Sequence, residues 1–210
     1  MKWRFLLGLF FIYPLAKFLL RLKVFGRENI PQGGVIIAAN HTSNFDPPLL
    51  VIAAKRELYF LAKEELFNVS RFFSWLIKSF NALPLSRGRF SKGLLVEIKN
   101  LTEKGKAVLL FPEGTRSRDG KLGRFKPGVG FIAKFTNVPV VPCLVKGIND
   151  SIISSIVDRD LIKKRLRHSY SLPKIEVRFG PKLYPEGDVR EFTFILEKRI
   201  KEMLNEDSGG

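Results

Sequence analysis

Two short stretches of this chain carry residue types that could do chemistry together. The first is His41-Thr42-Ser43-Asn44-Phe45-Asp46. An imidazole can accept a proton from a hydroxyl near neutral pH, which suits a general base. A carboxylate within reach of its other ring nitrogen would fix the tautomer and stabilise the imidazolium. An Asp five residues after the His can supply that carboxylate if the loop folds back. Blander readings stay open at this point. Asp46 precedes Pro47-Pro48 and could cap a helix that starts with proline, and His41 could be an ordinary loop histidine.

The second stretch is Phe111-Pro112-Glu113-Gly114-Thr115-Arg116-Ser117. Glycine allows a sharp turn and a close approach to a ligand. Arg116 offers a planar fork that matches a phosphate. Arg118, Lys121, Arg124 and Lys126 follow closely. Cationic loops after buried strands are where α/β folds bind phosphate. The alternative is a solvated basic loop in which Glu113 and Arg116 form a surface ion pair.

Both stretches need strands to place them. The apolar run 34–39 reads as a buried strand ending at Asn40, and Ala107–Phe111 as another. Further strands are expected at Leu58–Leu61, Asn81–Leu85, Val138–Val145 and Ile175–Phe179. Pro139 and Pro142 argue for an edge or strand-end position for the fourth of these. Helices are expected over Leu49–Ala54, Arg71–Phe80, Leu94–Leu101 (stopped by Gly105), Gly128–Phe135 and Asp188–Leu204. In the last, Phe192, Ile195, Leu196, Ile200, Met203 and Leu204 are expected to face inward. Strands alternating with helices predict an α/β fold: a single domain with a central, largely parallel or mixed sheet flanked by helices.

Composition narrows the partners. The 210 residues carry a net charge of +16, with 45% hydrophobic residues and 19 Phe. Such a basic chain implies an anionic partner, and the apolar content favours a membrane surface over nucleic acid. No nucleic-acid motif is present. Cys143 is the only cysteine, which excludes an intrachain disulfide and fits a reducing, cytosol-facing location. Its apolar run marks it as a core residue. The two histidines, His41 and His168, are too far apart to suggest a metal site, and His168 reads as structural.

The segment 1–26 is expected to be an amphipathic helical motif that binds the membrane, followed by a domain over 27–205 and a tail over 206–210. Pro14, Lys17 and Arg21 interrupt its apolar run, which falls short of the ~20 residues that span a bilayer. Leu15, Phe18, Leu19 and Leu22 fall on one helical face, with Lys17 and Arg21 on another, as in an interfacial helix. Arg71–Phe80 shows a similar division, with Trp75 suited to an interface. Trp3, Phe10, Phe11, Phe18, Phe72, Phe73 and Trp75 are therefore expected to contact membrane or acyl chain. Asp158–Arg167 is a further basic patch, near the membrane or simply solvated. The expected location is peripheral or monotopic, on the cytoplasmic face of the cell membrane.

The blocks HTSNFD, a basic turn at Arg87, FPEGTRS and VPVVP occur in that order between His41 and Pro142. In this the chain resembles the PlsC-type glycerolipid acyltransferases, which include the 1-acylglycerol-3-phosphate acyltransferases. One position departs from the pattern: Ser86 stands where the second block often carries an acidic residue. The resemblance implies transfer of an acyl chain from an acyl thioester, of coenzyme A or acyl-carrier protein, to the free hydroxyl of lysophosphatidic acid, giving phosphatidic acid. It implies that His41 is the base, that Asp46 orients it, and that the hydroxyl attacks directly without an acyl-enzyme. The chain has no G-x-S-x-G elbow to argue otherwise. Arg116, Arg87 and Lys126 would grip the acceptor phosphate in a pocket shaped by Glu113 and Gly114. Neither a cofactor nor a metal is implied. Glycerol-3-phosphate or a lysophospholipid remains an alternative acceptor, and a non-catalytic basic membrane module is the alternative outside enzymes.

Overall fold

A computed structural model describes residue 14 and residues 17–86, 90–117, 120–148 and 174–206. Seven strands form one sheet: β1 (Lys23–Phe25), β2 (Val35–Ala39), β3 (Leu58–Lys63), β4 (Ala82–Leu85), β5 (Ala107–Leu110), β6 (Val140–Lys146) and β7 (Glu176–Phe179). Their spatial order is β1-β7-β6-β2-β5-β3-β4. Every neighbouring pair is parallel except β6–β7. Among the described residues, the helices that cover the sheet are α1 (Asp46–Ala54), α2 (Arg71–Ser79), α3 (Lys92–Glu103), α4 (Gly128–Thr136) and α5 (Val189–Asn205). The expected α/β architecture is the one observed.

Parallel strands covered on both faces read as continuous apolar runs, and β2, buried at all five residues, is such a run. Its alternate side chains enter two cores. Val35, Ile37 and Ala39 pack with Leu49, Leu50 and Ala53 of α1. Ile36 and Ala38 share the opposite core with Leu94 and Ile98 of α3, Val129 and Ile132 of α4, and Phe192, Leu196 and Ile200 of α5. The helix boundaries have local causes. The Ser91 hydroxyl caps α3, Gly105 follows its C-terminus at φ 70°, and Asp188 and Glu191 form a capping box on α5.

Three expectations change. β6 is interior, between β2 and β7, and not at an edge. Pro139 precedes it, and Pro142 accepts the Gly180 N–H (2.8 Å) but has no N–H to return, so the paired residues of β6 and β7 end at Cys143 with Phe179. Ile195 is 42% exposed, outside the buried stripe of α5. Leu22 does not share the exposed face of Phe18 and Leu19. Arg21 adopts φ 45° and turns the chain, so that Leu20 and Leu22 enter the core while Phe18 and Leu19 stay 82% and 55% exposed. The residues just after that turn form β1, so the sheet begins inside the segment expected to be a separate membrane motif.

Candidate active site

Adjacent parallel strands β2 and β5 end side by side, and both chemical stretches leave from those ends. In open α/β sheets that crevice is where ligands bind. Asn40 anchors the first loop. Its side-chain amide donates to the Val145 carbonyl (2.9 Å) and its carbonyl accepts the Val145 N–H (2.7 Å), a two-bond pairing with interior strand β6.

The loop then folds back. Asp46 is fully buried and is the first residue of α1, with Pro47 and Pro48 next. Its carboxylate points back into the loop. Oδ2 accepts the N–H groups of Thr42 (2.7 Å) and Ser43 (2.9 Å) and lies 2.8 Å from His41 Nδ1. The expected juxtaposition of His41 and Asp46 is present, and the helix-capping alternative is not, because Phe45 holds the cap position without a side-chain bond. A carboxylate oxygen can only accept, so Nδ1 donates to it, and in the neutral ring the lone pair then sits on Nε2.

The second stretch holds the rest of His41. Its ring stacks on Phe111, with centroids 3.9 Å apart and planes at 17°. Its carbonyl accepts the Ser117 N–H (2.7 Å), and its own N–H donates to Glu113 Oε1 (2.9 Å). Glu113 Oε2 accepts the Gly123 N–H (2.8 Å). Glu113 is 5% exposed, so it is not part of a surface ion pair. Burial pushes its carboxyl above the ordinary value, while the His41 and Gly123 N–H groups oppose the rise.

Beside this lies a cavity of 320 Å³ lined by Glu113, Thr115, Ser117, Lys121, Leu122, Gly123 and Arg124. Among the described residues expected to make a phosphate site, only Glu113 lines it directly. Gly114 adopts φ 68°, and the Lys126 side chain crosses it so closely that an added Cβ would stand 2.8 Å from the ammonium. Lys126 also ties its N–H to the Pro112 carbonyl (2.9 Å). Arg116 is half-buried beside Ser117. Lys121 and Arg124, noted in the sequence only as part of a basic run, are the cations that line the cavity among the described residues. Asn40, Phe111 and the Ser117 N–H were not expected in the site.

Arg87, Trp3, Phe10, Phe11, His168 and Asp158–Arg167 lie outside the described residues, as do the side chains of Phe72 and Phe73. Trp75 is 63% exposed on α2. Cys143 is buried in β6, and burial pushes its thiol well above the ordinary value, which makes it a core residue and a poor nucleophile. Among the described residues, no group of three or more His, Cys, Asp or Glu could hold a metal ion.

Known proteins resemble this chain. A family model described as acyltransferase matches residues 21–146. The chain is 36% identical over 140 residues to a chloroplastic 1-acyl-sn-glycerol-3-phosphate acyltransferase of Brassica napus, across 65% of this chain and 39% of that protein. It is 32% identical over 151 residues to a probable 1-acyl-sn-glycerol-3-phosphate acyltransferase of Mycoplasma pneumoniae, across 65% of this chain and 55% of that one. The matched region thus spans about half or less of these relatives' own length. The crystal structure of the 1-acyl-sn-glycerophosphate acyltransferase PlsC from Thermotoga maritima superposes with a TM-score of 0.70 at 27% identity, covering 97% of this chain and 79% of that one. With the HTSNFD and FPEGTRS stretches meeting at one sheet end and a family model over more than half its length, this chain belongs to the PlsC-type acyltransferase family.

Proposed function

We propose that this protein transfers an acyl chain from an acyl thioester to the free hydroxyl of 1-acylglycerol-3-phosphate, releasing phosphatidic acid and a free thiol. One observation carries the reading: a His held by a buried carboxylate, 2.8 Å from Nδ1 to Oδ2, beside a cavity lined by Lys121 and Arg124. The first can activate a hydroxyl and the second can hold its phosphate. Two curated relatives named for this activity support the same acceptor.

The reaction follows from the side chains. The acceptor oxygen attacks the thioester carbonyl carbon as its proton passes to His41 Nε2, and Asp46 stabilises the imidazolium that forms. The tetrahedral intermediate collapses and the carbon–sulfur bond breaks. The imidazolium proton then goes to the departing thiolate, and His41 returns to its starting state. No acyl-enzyme forms. No cofactor is needed, because the thioester is already activated; the donor is acyl-CoA or acyl-carrier protein. Lys121 and Arg124, with Arg116, Lys126 and Arg87, bind the acceptor phosphate.

The acceptor is a lipid, so the protein works at a membrane surface. Phe18, Leu19 and Trp75 are exposed apolar residues beside Lys17, Arg21, Arg71 and Lys78, a combination suited to the interface of an anionic bilayer. Among the described residues, no helix is long and apolar enough to cross a membrane. We place the protein peripherally or monotopically on the cytoplasmic face. Thiol release with lysophosphatidic acid, against glycerol-3-phosphate and against each thioester donor, tests the reading. His41→Ala should lose about 100- to 10,000-fold in kcat; near-normal kcat in that variant refutes the base assignment.

A further inference from the structure

Glu113 presents a contradiction if it only lines a phosphate pocket. It is a carboxylate, and it forms one wall of the cavity that also holds Lys121 and Arg124. A negative wall repels a phosphate. Its oxygens, however, face two backbone donors. Oε1 takes the His41 N–H at 2.9 Å and Oε2 takes the Gly123 N–H at 2.8 Å. These donors belong to different loops, 82 residues apart in sequence. His41 opens the loop that holds the base, and Gly123 sits between Lys121 and Arg124 in the loop that lines the cavity. Gly123 also passes so close to the carboxylate that a Cβ on it would stand 2.7 Å from Oε2.

We infer that Glu113 is a positioning residue, a two-sided latch that fixes the cationic acceptor loop relative to the His41 loop, and does not itself contact the acceptor. This rests on the reading of the site as an acyl-acceptor site. The residue types fit the role. A carboxylate is the side chain with two acceptor oxygens and no donor when ionised, so it can accept two N–H groups from opposite sides. A Gln at the same place has one acceptor oxygen, and its amino group would face the other backbone donor. Bonds from N–H to an ionised carboxylate are stronger than neutral ones and set geometry more firmly. The two donors also oppose the upward push of burial on this carboxyl, although burial outweighs them.

The sign of one substitution separates latch from wall. If Glu113 were only a repulsive wall, Glu113→Gln would remove a negative charge and lower KM for lysophosphatidic acid. A latch predicts the opposite. The loss of one charged hydrogen bond should raise that KM about tenfold and lower kcat as well, because the base and the acceptor loop lose their common reference. KM for the thioester should stay within about twofold. Gly123→Ala should move both parameters in the same direction, less strongly, because its new methyl pushes Oε2 aside without changing charge. A purely structural Glu113 would reduce the active fraction, lowering kcat at constant KM.

Amide hydrogen exchange reads the latch independently of activity. In both variants, residues 40–46 and 120–126 should lose protection together, while β2 and α5 keep theirs. If wild-type enzyme releases no thiol with lysophosphatidic acid, the functional reading fails, and exchange still decides on the latch. The latch is overturned by a lower acceptor KM in Glu113→Gln, by a fall in kcat alone, or by loss of protection in only one loop or neither.

Discussion

Replacing Asp46 separates two tasks that its carboxylate performs, orientation and charge. Oδ2 receives the N–H groups of Thr42 and Ser43 at 2.7 and 2.9 Å and the His41 ring at 2.8 Å. In Asp46→Asn the two backbone donors draw the amide oxygen, not its amino group, to the Oδ2 position. All three bonds survive and the histidine keeps its tautomer. What the amide lacks is the charge. With centres of charge about 4 Å apart and an effective dielectric constant of about 20, imidazolium and carboxylate attract by about 4 kcal/mol. If the amide dipole retains a third to a half of that, the barrier rises by about 2–3 kcal/mol and kcat falls about 30- to 200-fold. The amino group then takes the place of Oδ1, which is buried and accepts no bond, so its donors go unpaired and stability should fall by about 1–3 kcal/mol.

Asp46→Ala removes the acceptor altogether. Two buried N–H groups are then unpaired, at about 1–3 kcal/mol each. The expected loss of about 2–6 kcal/mol is a large share of the ~5–15 kcal/mol that holds a typical domain together. Urea unfolding of both variants, with single-turnover thiol release from a long-chain thioester and lysophosphatidic acid, measures the two effects separately. An Asn variant that turns over within about threefold of wild type would show that the charge is not used. An Ala variant that unfolds at the wild-type urea midpoint would show that the carboxylate does not hold the loop.

Arg116→Ala should raise KM for the phosphorylated acceptor well above its effect on the thioester, and Arg116→Lys should recover part of the loss, since an ammonium lacks the planar fork; steady-state kinetics with both substrates varied would expose a merely structural Arg116 as an equal effect on each. Asn40→Leu leaves the Val145 N–H and C=O unpaired in the sheet interior and should cost about 2–4 kcal/mol in denaturant unfolding; an unchanged midpoint would remove Asn40 from the anchoring role. Phe18→Glu with Leu19→Glu, both at exposed positions, should weaken flotation with anionic vesicles at high salt while leaving turnover of a dispersed short-chain acceptor unchanged; undiminished flotation would place the anchor elsewhere.

What could be read from the sequence was what lies within one stretch. His41 and Asp46 are five residues apart, so the loop between a strand and a proline-started helix brings them together with little freedom. The strands that carry the two blocks were legible because β2 and β5 are buried on both faces and are apolar at every position. β1 was not, because Lys23–Phe25 is a three-residue edge strand with a charged start and a partly buried pattern. Of the two positions that the prolines of β6 suggested, the strand end holds for Pro139 and the sheet edge does not. Proline excludes a residue from donating but not from accepting, and Pro142 keeps its place in the interior by accepting the Gly180 N–H.

The joints between blocks had a different reason for staying hidden. Glu113 meets the N–H of His41 and the N–H of Gly123, and Ser117 meets the carbonyl of His41. The groups joined to Glu113 and Ser117 are backbone groups, which every residue but proline supplies alike. A side chain that binds backbone leaves no complementary side chain to notice at the other end. Glu113 therefore reads, in sequence, as one more polar residue of a ligand loop, and its charge invites pairing with nearby Arg116. Burial decides otherwise. At 5% exposure a carboxylate is costly without donors, and the donors that reach Glu113 come from the two loops whose relative position the proposed reaction depends on. A substrate-binding block and a catalytic block can thus be recognised separately, while the residue that registers one against the other is visible only once the chain is folded.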